Sequence, residues 1–221
     1  MSLSPELISQ ARGSLYSAVL SDVLDSLGNT EHAMGPQIRP LDDSLVLFGR
    51  ARTGLYMEVF TETPGENPYE LEIALIDDLK PDEIAVLACP DSPRVAPWGE
   101  LLSTASKARG AVGCVTDGLV RDIRLIRDMG FPVFAGGIGP LDSKGRGTVM
   151  RIDVPVACGG IRVASGDWLF GDADGVVVIP EALAEQAIEA ALAKIEGENR
   201  TREELEAGAL LKDVFARHGI L

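Results

Sequence analysis

Three charged residues in two predicted loops are of types that could act together on a small acidic substrate: Glu100, Arg121 and Asp122. Carboxylates such as Glu100 and Asp122 suit a hard divalent cation, Mg²⁺ or Mn²⁺, that keeps several of its waters. Arg121 would supply a planar, permanently charged fork for a substrate carboxylate. The segment 99–102, Gly-Glu-Leu-Leu, begins a predicted helix, whose first backbone N–H groups form a further anion site.

The same residues also have an ordinary structural interpretation. Arg121 and Asp122 could be a salt bridge at the start of a helix, and Glu100 could complement a helix dipole. Spacing alone does not decide between this interpretation and a site. A zinc site rich in histidine is disfavoured, because the chain has 2 histidines.

Alternating apolar runs and helical stretches in the middle of the chain would place these residues together. Strands are predicted at 84–89, 111–116 and 132–135, with helices at 101–109 and 121–129 between them. This β-α-β-α-β order is typical of parallel strands. Ligands bind outside the carboxyl ends of such strands, so the loops after Cys89 and Thr116 should open on one edge of the sheet.

The flanking segments complete a single α/β domain over residues 1–221. Two helices are predicted within 5–27, split near Gly13, followed by a strand at 45–59 that bends at Gly49 and a helix at 67–79. Short β runs separated by Gly and Asp turns fill 148–180. A last helix spans 181–205, and a tail runs to residue 221. The fold class is therefore α/β, with a parallel part and a more antiparallel part.

The charge balance disfavours nucleic acid as a partner. The chain has 20 Lys and Arg against 34 Asp and Glu, a formal net charge of −14, and its basic residues are scattered. A field of that sign repels phosphate backbones. We expect no membrane span either, because the longest stretch without charge, 129–141, is interrupted by prolines and glycines and is shorter than the roughly 20 apolar residues a bilayer requires.

The three cysteines indicate a reducing compartment. Cys89, Cys114 and Cys158 each lie in an apolar run and are odd in number, so we expect buried thiols and a cytoplasmic protein.

One long run, from Trp98 to Gly147, reads WGELLSTASKARGAVGCVTDGLVRDIRLIRDMGFPVFAGGIGPLDSKGRG. This run resembles the family that groups regulator of ribonuclease activity A (RraA) with 4-hydroxy-4-methyl-2-oxoglutarate aldolase. The similarity extends to SDVLDSLG at 21–28, GDWLFGDADGVVVIP at 166–180 and ENRTREELEAG near the end. Its most specific element is an acid, twenty intervening residues and Arg-Asp, here Glu100 and Arg121-Asp122.

The resemblance implies a swivelling-type α/β/α domain that assembles as homotrimers or hexamers, with the C-terminal helix and tail packing on a neighbouring subunit. It implies a divalent-metal-dependent class II aldolase, a carbon-carbon lyase that cleaves 2-keto acids to pyruvate and also decarboxylates oxaloacetate.

The resemblance also assigns roles to individual residues. Asp122 would bind the Mg²⁺ or Mn²⁺, Arg121 would contact the pyruvyl oxygens, and Glu100 would orient a metal-bound water. Glu198 would reach the site from a neighbouring subunit. The substrate carboxylate would be held by backbone amides of the segment formed by Gly99, Leu101 and Leu102.

This chain departs from the family at one of these positions. Aldolases of the family commonly have aspartate where this chain has Glu100, so its substrate or activity could differ. The alternative function is that of the family's regulators, which bind an endoribonuclease by contact and need no metal. A menaquinone-pathway methyltransferase is disfavoured, because no GxGxG loop follows an early strand.

Overall fold

The computed structural model describes residues 3–89 and 94–219. Within these ranges the chain order is α1 (Pro5–Ser14), α2 (Ser17–Ser26), β1 (Arg39–Pro40), β2 (Leu47–Glu58), α3 (Glu70–Asp78), β3 (Glu83–Ala88), α4 (Glu100–Ala108), β4 (Gly113–Val120), α5 (Ile123–Met129), β5 (Val133–Ile138), β6 (Gly147–Ile152), β7 (Val156–Cys158), β8 (Ile161–Val163), β9 (Trp168–Asp172), β10 (Gly175–Ile179), a 3₁₀ turn (Glu181–Leu183), α6 (Ala184–Glu206) and α7 (Leu211–His218). Part of the predicted loop after β3, residues 90–93, lies outside the described residues.

One mixed sheet organises the domain, in the strand order β1-β5-β4-β3-β2-β9-β10, with β6 also pairing with β2. Strands β2, β3, β4 and β5 are parallel to their neighbours in this series, which confirms the predicted β-α-β-α-β arrangement. The remaining pairs are antiparallel. The sheet is nearly closed, since Arg39 on β1 donates a hydrogen bond of 2.9 Å to the Asp174 carbonyl beside β10.

Apolar residues fall into three clusters around this sheet. One lies under α3, α4 and α5 and includes Leu75, Trp98 and Ile126. A second lies under α1, α2 and α6 and includes Leu20 and Ile188. The third is inside the curved sheet, where Val86, Val115 and Phe134 meet the residues of β9 and β10. Helices thus cover the outside of the sheet in two layers, and the α/β class is confirmed.

Strand β2 is continuous through Gly49, within the predicted run 45–59, and its register with β6 shifts between Leu55 and Tyr56. Gly49 is needed for packing, because a Cβ there would lie 2.4 Å from the backbone oxygen of Asp82. Strand β4 does not end at Thr116 but continues to Val120 through an irregularity between Thr116 and Leu119.

The C-terminal tail also forms more structure than predicted. Residues of the tail form α7, which lies against α6 of the same chain. Arg217 and His218 of α7 bind the carboxylate of Glu204 on α6. The apolar side chain of Val214 is fully buried.

In the described part of the chain, no helix combines the length and apolar character needed to cross a bilayer.

The three cysteines are free thiols, as predicted. Cys114 and Cys158 are fully buried, and Cys89 is partly buried. Burial raises the pKa of the Cys89 thiol far above its usual range, which removes its thiolate character.

Candidate functional site

The candidate site is built where β4 ends beside the start of α4. Trp98 forms a parallel bridge with Val120, and the Arg121 N–H donates a hydrogen bond of 3.0 Å to the Trp98 carbonyl. The segment before α4 therefore continues the sheet edge for one residue pair. As a result, Arg121 and Asp122 at the end of β4 lie next to Gly99, the residue that precedes α4.

Asp122 is held in an unusual backbone conformation. Its φ of 58° lies in the left-handed region, where aspartate is among the few residues tolerated, at a cost on the order of 1 kcal/mol. The Oδ2 atom of its carboxylate accepts a hydrogen bond of 3.3 Å from the Glu100 N–H. A Cβ on Gly99 would lie 2.8 Å from the same oxygen, so glycine is required for this approach. The strain and the close approach aim the Asp122 carboxylate at the start of α4.

The Arg121 guanidinium could bind an anionic ligand. Its guanidinium lies 3.6 Å from Asp122 (Nε to Oδ2) and 3.7 Å from Asp142 (Nη1 to Oδ1). Both distances exceed those of a normal hydrogen bond. Among residues 3–89 and 94–219 the guanidinium donates no hydrogen bond, so its donors are available. The simple salt bridge at a helix start is present, but it is loose.

A cavity of about 310 Å³ opens at this point. Its apolar wall is formed by Ile73, Ala96, Pro97, Trp98, Leu101 and Leu102, and its polar side chains are Tyr69, Glu72, Arg121, Asp122, Asp142 and Ser143. The first turn of α4 contributes Gly99, Leu101 and Leu102, so the unpaired N–H groups of a helix start border the cavity. Its size and few polar groups are those of a small-molecule site.

Two predicted residues lie apart from the cavity lining. The Glu100 carboxylate accepts a hydrogen bond of 2.8 Å from the Thr104 hydroxyl, one turn along α4, so its backbone rather than its side chain contacts the Asp122 carboxylate. Glu198 lies on α6 in a different pocket, where the Tyr16 hydroxyl binds its carboxylate and Lys194 is 3.9 Å away. Within one chain, Glu198 and Arg121 are not brought together.

Sequence reasoning missed four polar residues that line the cavity, which are Tyr69, Glu72, Asp142 and Ser143. Asp142 follows β5 at the same sheet edge as Arg121 and accepts a hydrogen bond of 2.8 Å from the Tyr69 hydroxyl. Glu72 lies on α3 and accepts a hydrogen bond of 2.7 Å from the buried Tyr56 hydroxyl. A signal for Glu72 was present in the sequence, because Glu72, Leu75, Ile76 and Leu79 share one helical stripe and a carboxyl group on such a stripe is unusual.

The two carboxyl groups have opposite electrostatic environments. Burial opposes ionisation of Asp142, but hydrogen bonds from Tyr69 and the Lys144 N–H, with the charge of Arg121, outweigh it and lower the pKa of Asp142. Burial raises the pKa of Glu72 to about 7, although the Tyr56 hydrogen bond opposes the shift. At neutral pH Asp142 is therefore ionised, whereas Glu72 is a carboxyl group that can exchange its proton.

The carboxylate oxygens at the cavity fit a divalent cation that takes most of its ligands from water and substrate rather than from the protein. Within the described ranges, no group of three or more His, Cys, Asp or Glu side chains is placed to hold a metal ion. Asp122 nevertheless offers a partly exposed carboxylate beside an open cavity. Mg²⁺ is commonly bound through one or two carboxylates together with waters and substrate oxygens. The residues present fit that kind of site, and they do not fit a closed structural one.

Comparison with known proteins identifies the family of this chain. A family model named RraA-like, described as Aldolase/RraA, matches residues 17–178. A protein from Halalkalibacterium halodurans, provisionally named a 4-hydroxy-4-methyl-2-oxoglutarate aldolase, is 34% identical over 189 residues, which cover 86% of this chain and 83% of the relative.

Two crystal structures share the fold over nearly the whole chain. An uncharacterized protein from Pseudomonas syringae pv. tomato gives a TM-score of 0.84 at 25% identity, covering 97% of this chain and 98% of the other. Streptomyces coelicolor RraAS2, described as an unusual member of the RNase ES inhibitor RraA protein family, gives a TM-score of 0.79 at 26% identity and covers 91% and 98%.

The buried carboxyl group of Glu72 should make folding stability depend on pH. Its folded-state pKa of about 7 lies above the ordinary glutamate value of 4.5. The stability it contributes is therefore full below the unfolded value and is lost as the pH rises through the folded one. Between pH 5 and pH 8 the wild type should lose on the order of 2 kcal/mol more than Glu72→Gln. Urea denaturation at both pH values measures this, with exposed Glu70→Gln as the control. Identical pH dependence in all three proteins would contradict the buried environment.

Proposed function

This chain belongs to the RraA-like family, and on that premise we propose that it is a divalent-metal-dependent lyase that forms pyruvate. Its substrates would be 2-keto acids of the 4-hydroxy-4-methyl-2-oxoglutarate type, and it would also decarboxylate oxaloacetate. The names of several relatives, which describe such aldolases, support this reaction class. The observation that carries the proposal is the meeting of Arg121 and Asp122 with the first turn of α4 at one cavity.

Both reactions break the bond between C3 and C4 of the substrate and leave the enolate of pyruvate. Negative charge then develops on the C2 oxygen, and a site that stabilises this charge accelerates the reaction. Arg121 offers a guanidinium whose donors are not used by other described residues. The N–H groups at Leu101 and Leu102 offer a fixed site for the C1 carboxylate. Arg121 at the end of β4 and the first turn of α4 would thus contact the two groups that every 2-keto acid carries.

Asp122 is the residue that would hold Mg²⁺ or Mn²⁺. When bound, the cation supplies Lewis-acid stabilisation of the developing enolate charge. The hydrogen bond from the Glu100 N–H and the strained backbone keep the Asp122 carboxylate at the cavity entrance without saturating its oxygens. This leaves lone pairs free for a hard cation.

Aldol cleavage also requires a base for the C4 hydroxyl, and we assign this role to a water molecule that Glu100 would orient. Its carboxylate lies on the first turn of α4, one residue from Gly99, and the Thr104 hydroxyl holds one of its oxygens. This water molecule would receive the hydroxyl proton. Decarboxylation has no hydroxyl proton to remove, so the two reactions should depend on Glu100 to different extents.

The role of Glu198 depends on oligomerisation. In this chain its carboxylate lies with Tyr16 and Lys194, away from Arg121. We propose a cytoplasmic homotrimer or hexamer in which α6 brings Glu198 to the cavity of a neighbouring subunit.

The second candidate function is that of a protein that binds an endoribonuclease. The similarity to Streptomyces coelicolor RraAS2 favours it, because that structure's description names an RNase ES inhibitor family. The presence of Arg121 and Asp122 at a cavity, with Glu100 on the adjoining first turn of α4, favours the enzyme, since inhibition by contact needs no such site.

Turnover of oxaloacetate tests the proposed reaction. With Mg²⁺, pyruvate formation followed through a coupled reductase should be saturable and should be abolished by EDTA. Asp122→Ala should lower kcat/KM by about 10²-fold or more, because charge stabilisation worth several kcal/mol is lost. Exposed Asp128→Ala on α5 is the matched control and should keep full activity. No turnover of oxaloacetate or of 4-hydroxy-4-methyl-2-oxoglutarate, or turnover insensitive to EDTA, would contradict the proposal.

A comparison of the two reactions tests the role of Glu100. Glu100→Ala should reduce aldol cleavage by about 10²-fold, the usual contribution of a general base, and should reduce decarboxylation by only a few-fold. Parallel assays with the two substrates measure the ratio. Equal losses in both reactions would mean that Glu100 supports the site in some other way.

A further inference from the structure

Glu72 contributes a carboxyl group to the wall of the cavity. The reaction as described gives this group no role. It lies on the buried face of α3 and is 6% exposed, yet it lines the same space as Arg121 and Asp122. A carboxyl group so deeply buried is rarely kept unless it is paired or functional. Glu72 has no cationic partner in hydrogen-bond contact among the described residues.

The one hydrogen bond that the described residues make to Glu72 comes from an uncharged donor. The Tyr56 hydroxyl donates to Oε2 at 2.7 Å. Burial raises the pKa of Tyr56 well above its usual range, and the charge of Glu72 adds to the rise. Tyr56 therefore keeps its proton and can stabilise the ionised form of Glu72 whenever that form appears.

The other titratable groups that face Glu72 lie on four further segments. Tyr69 precedes α3, Asp142 follows β5, Arg121 follows β4 and Cys89 follows β3. The negative charge of Asp142 favours the neutral form of Glu72, and the positive charge of Arg121 favours the ionised form. Burial is the largest influence and favours the neutral form.

Elimination leaves Glu72 as the proton source of the cavity. Arg121 stays charged, and the pKa of Asp142 is lowered, so it carries no proton at neutral pH. Burial raises the pKa of Tyr69 to about 12, and its hydroxyl is engaged by Asp142. Asp122 is the proposed metal ligand. Among the described lining residues, only Glu72, with a pKa of about 7, holds a proton that it can exchange near neutral pH.

We propose that Glu72 delivers a proton to C3 of the pyruvate enolate, an inference that rests on the proposed function. When the bond between C3 and C4 breaks, its electron pair moves into the enolate, and CO₂ or a carbonyl product leaves. The pair then forms a bond from C3 to the Glu72 proton, the O–H bond of Glu72 breaks, and pyruvate results. Tyr56 stabilises the carboxylate left behind, and solvent returns the proton to Glu72.

The reverse step gives a direct readout. By microscopic reversibility, the Glu72 carboxylate removes a methyl proton from bound pyruvate, so the enzyme should exchange that methyl group with D₂O. ¹H NMR measures the exchange rate with Mg²⁺ between pH 5.5 and 8.5. The wild-type rate should rise with pH, because the carboxylate is the base. Glu72→Gln should lower exchange by about 10²-fold and abolish this rise.

Release of CO₂ from oxaloacetate, measured on the same samples, separates the two proposals. Glu72→Gln should change it by only a few-fold, because bond breaking precedes the proton transfer. Exposed Glu70→Gln on α3 is the matched control and should behave as the wild type in both assays. Wild-type exchange and pH dependence in Glu72→Gln, or equal losses of exchange and CO₂ release, would overturn the role of Glu72. Failure of the wild type to release CO₂ would instead overturn the proposed function, and this inference with it.

Tyr56→Phe provides a second variant that keeps the carboxyl group. Loss of the hydrogen bond to Glu72 removes a contact that favours its ionised form, so the pH midpoint of exchange should move upward. This shift would support the role of Glu72 even if Glu72→Gln folded poorly. An unchanged midpoint would overturn it.

Discussion

A single backbone hydrogen bond, from the Arg121 N–H to the Trp98 carbonyl at 3.0 Å, sets the geometry of the cavity. It joins the end of β4 to the segment before α4. Residues that follow β4 and residues that begin α4 therefore meet at the cavity. Trp98 is fixed in turn, because its indole N–H donates to Ser103 at 2.8 Å and its ring stacks on Phe131 at a centroid distance of 6.4 Å. The positions of Arg121, Asp122 and the first turn of α4 all depend on this buried anchor.

The electrostatics of the cavity run against those of the whole protein. A net charge of −14 repels an anionic substrate, so the cavity must reverse the sign locally. Arg121 and the start of α4 supply positive charge against the carboxylates of Asp122 and Asp142, and a cation at Asp122 would complete the reversal. Burial of Glu72 contributes as well, since a neutral carboxyl group adds no negative charge. The same burial that suppresses its charge would keep on Glu72 the proton that we propose is transferred.

The local sequence predicted the parallel strands, and it predicted that Arg121 follows β4 at the start of the next helix, because apolar periodicity and chain order determine both. It did not predict that β4 continues to Val120, since that extension depends on pairing with β5 and Trp98. Asp142 could have been found by applying the strand-end rule to a third loop. Glu72 could have been found from its place on an apolar helical stripe. Contacts between subunits, such as the one proposed for Glu198, have no local sequence signal.

The central claim is that the cavity binds the enolate form of a 2-keto acid. Oxalate resembles that enolate in its planar pair of charged oxygens, so a site built for the transition state should prefer it to pyruvate. Isothermal titration with Mg²⁺ present should show that oxalate binds at least about tenfold more tightly than pyruvate, a difference of about 1.4 kcal/mol. Arg121→Ala should remove the preference. Equal affinity for the two ligands, or a preference that survives Arg121→Ala, would contradict the account.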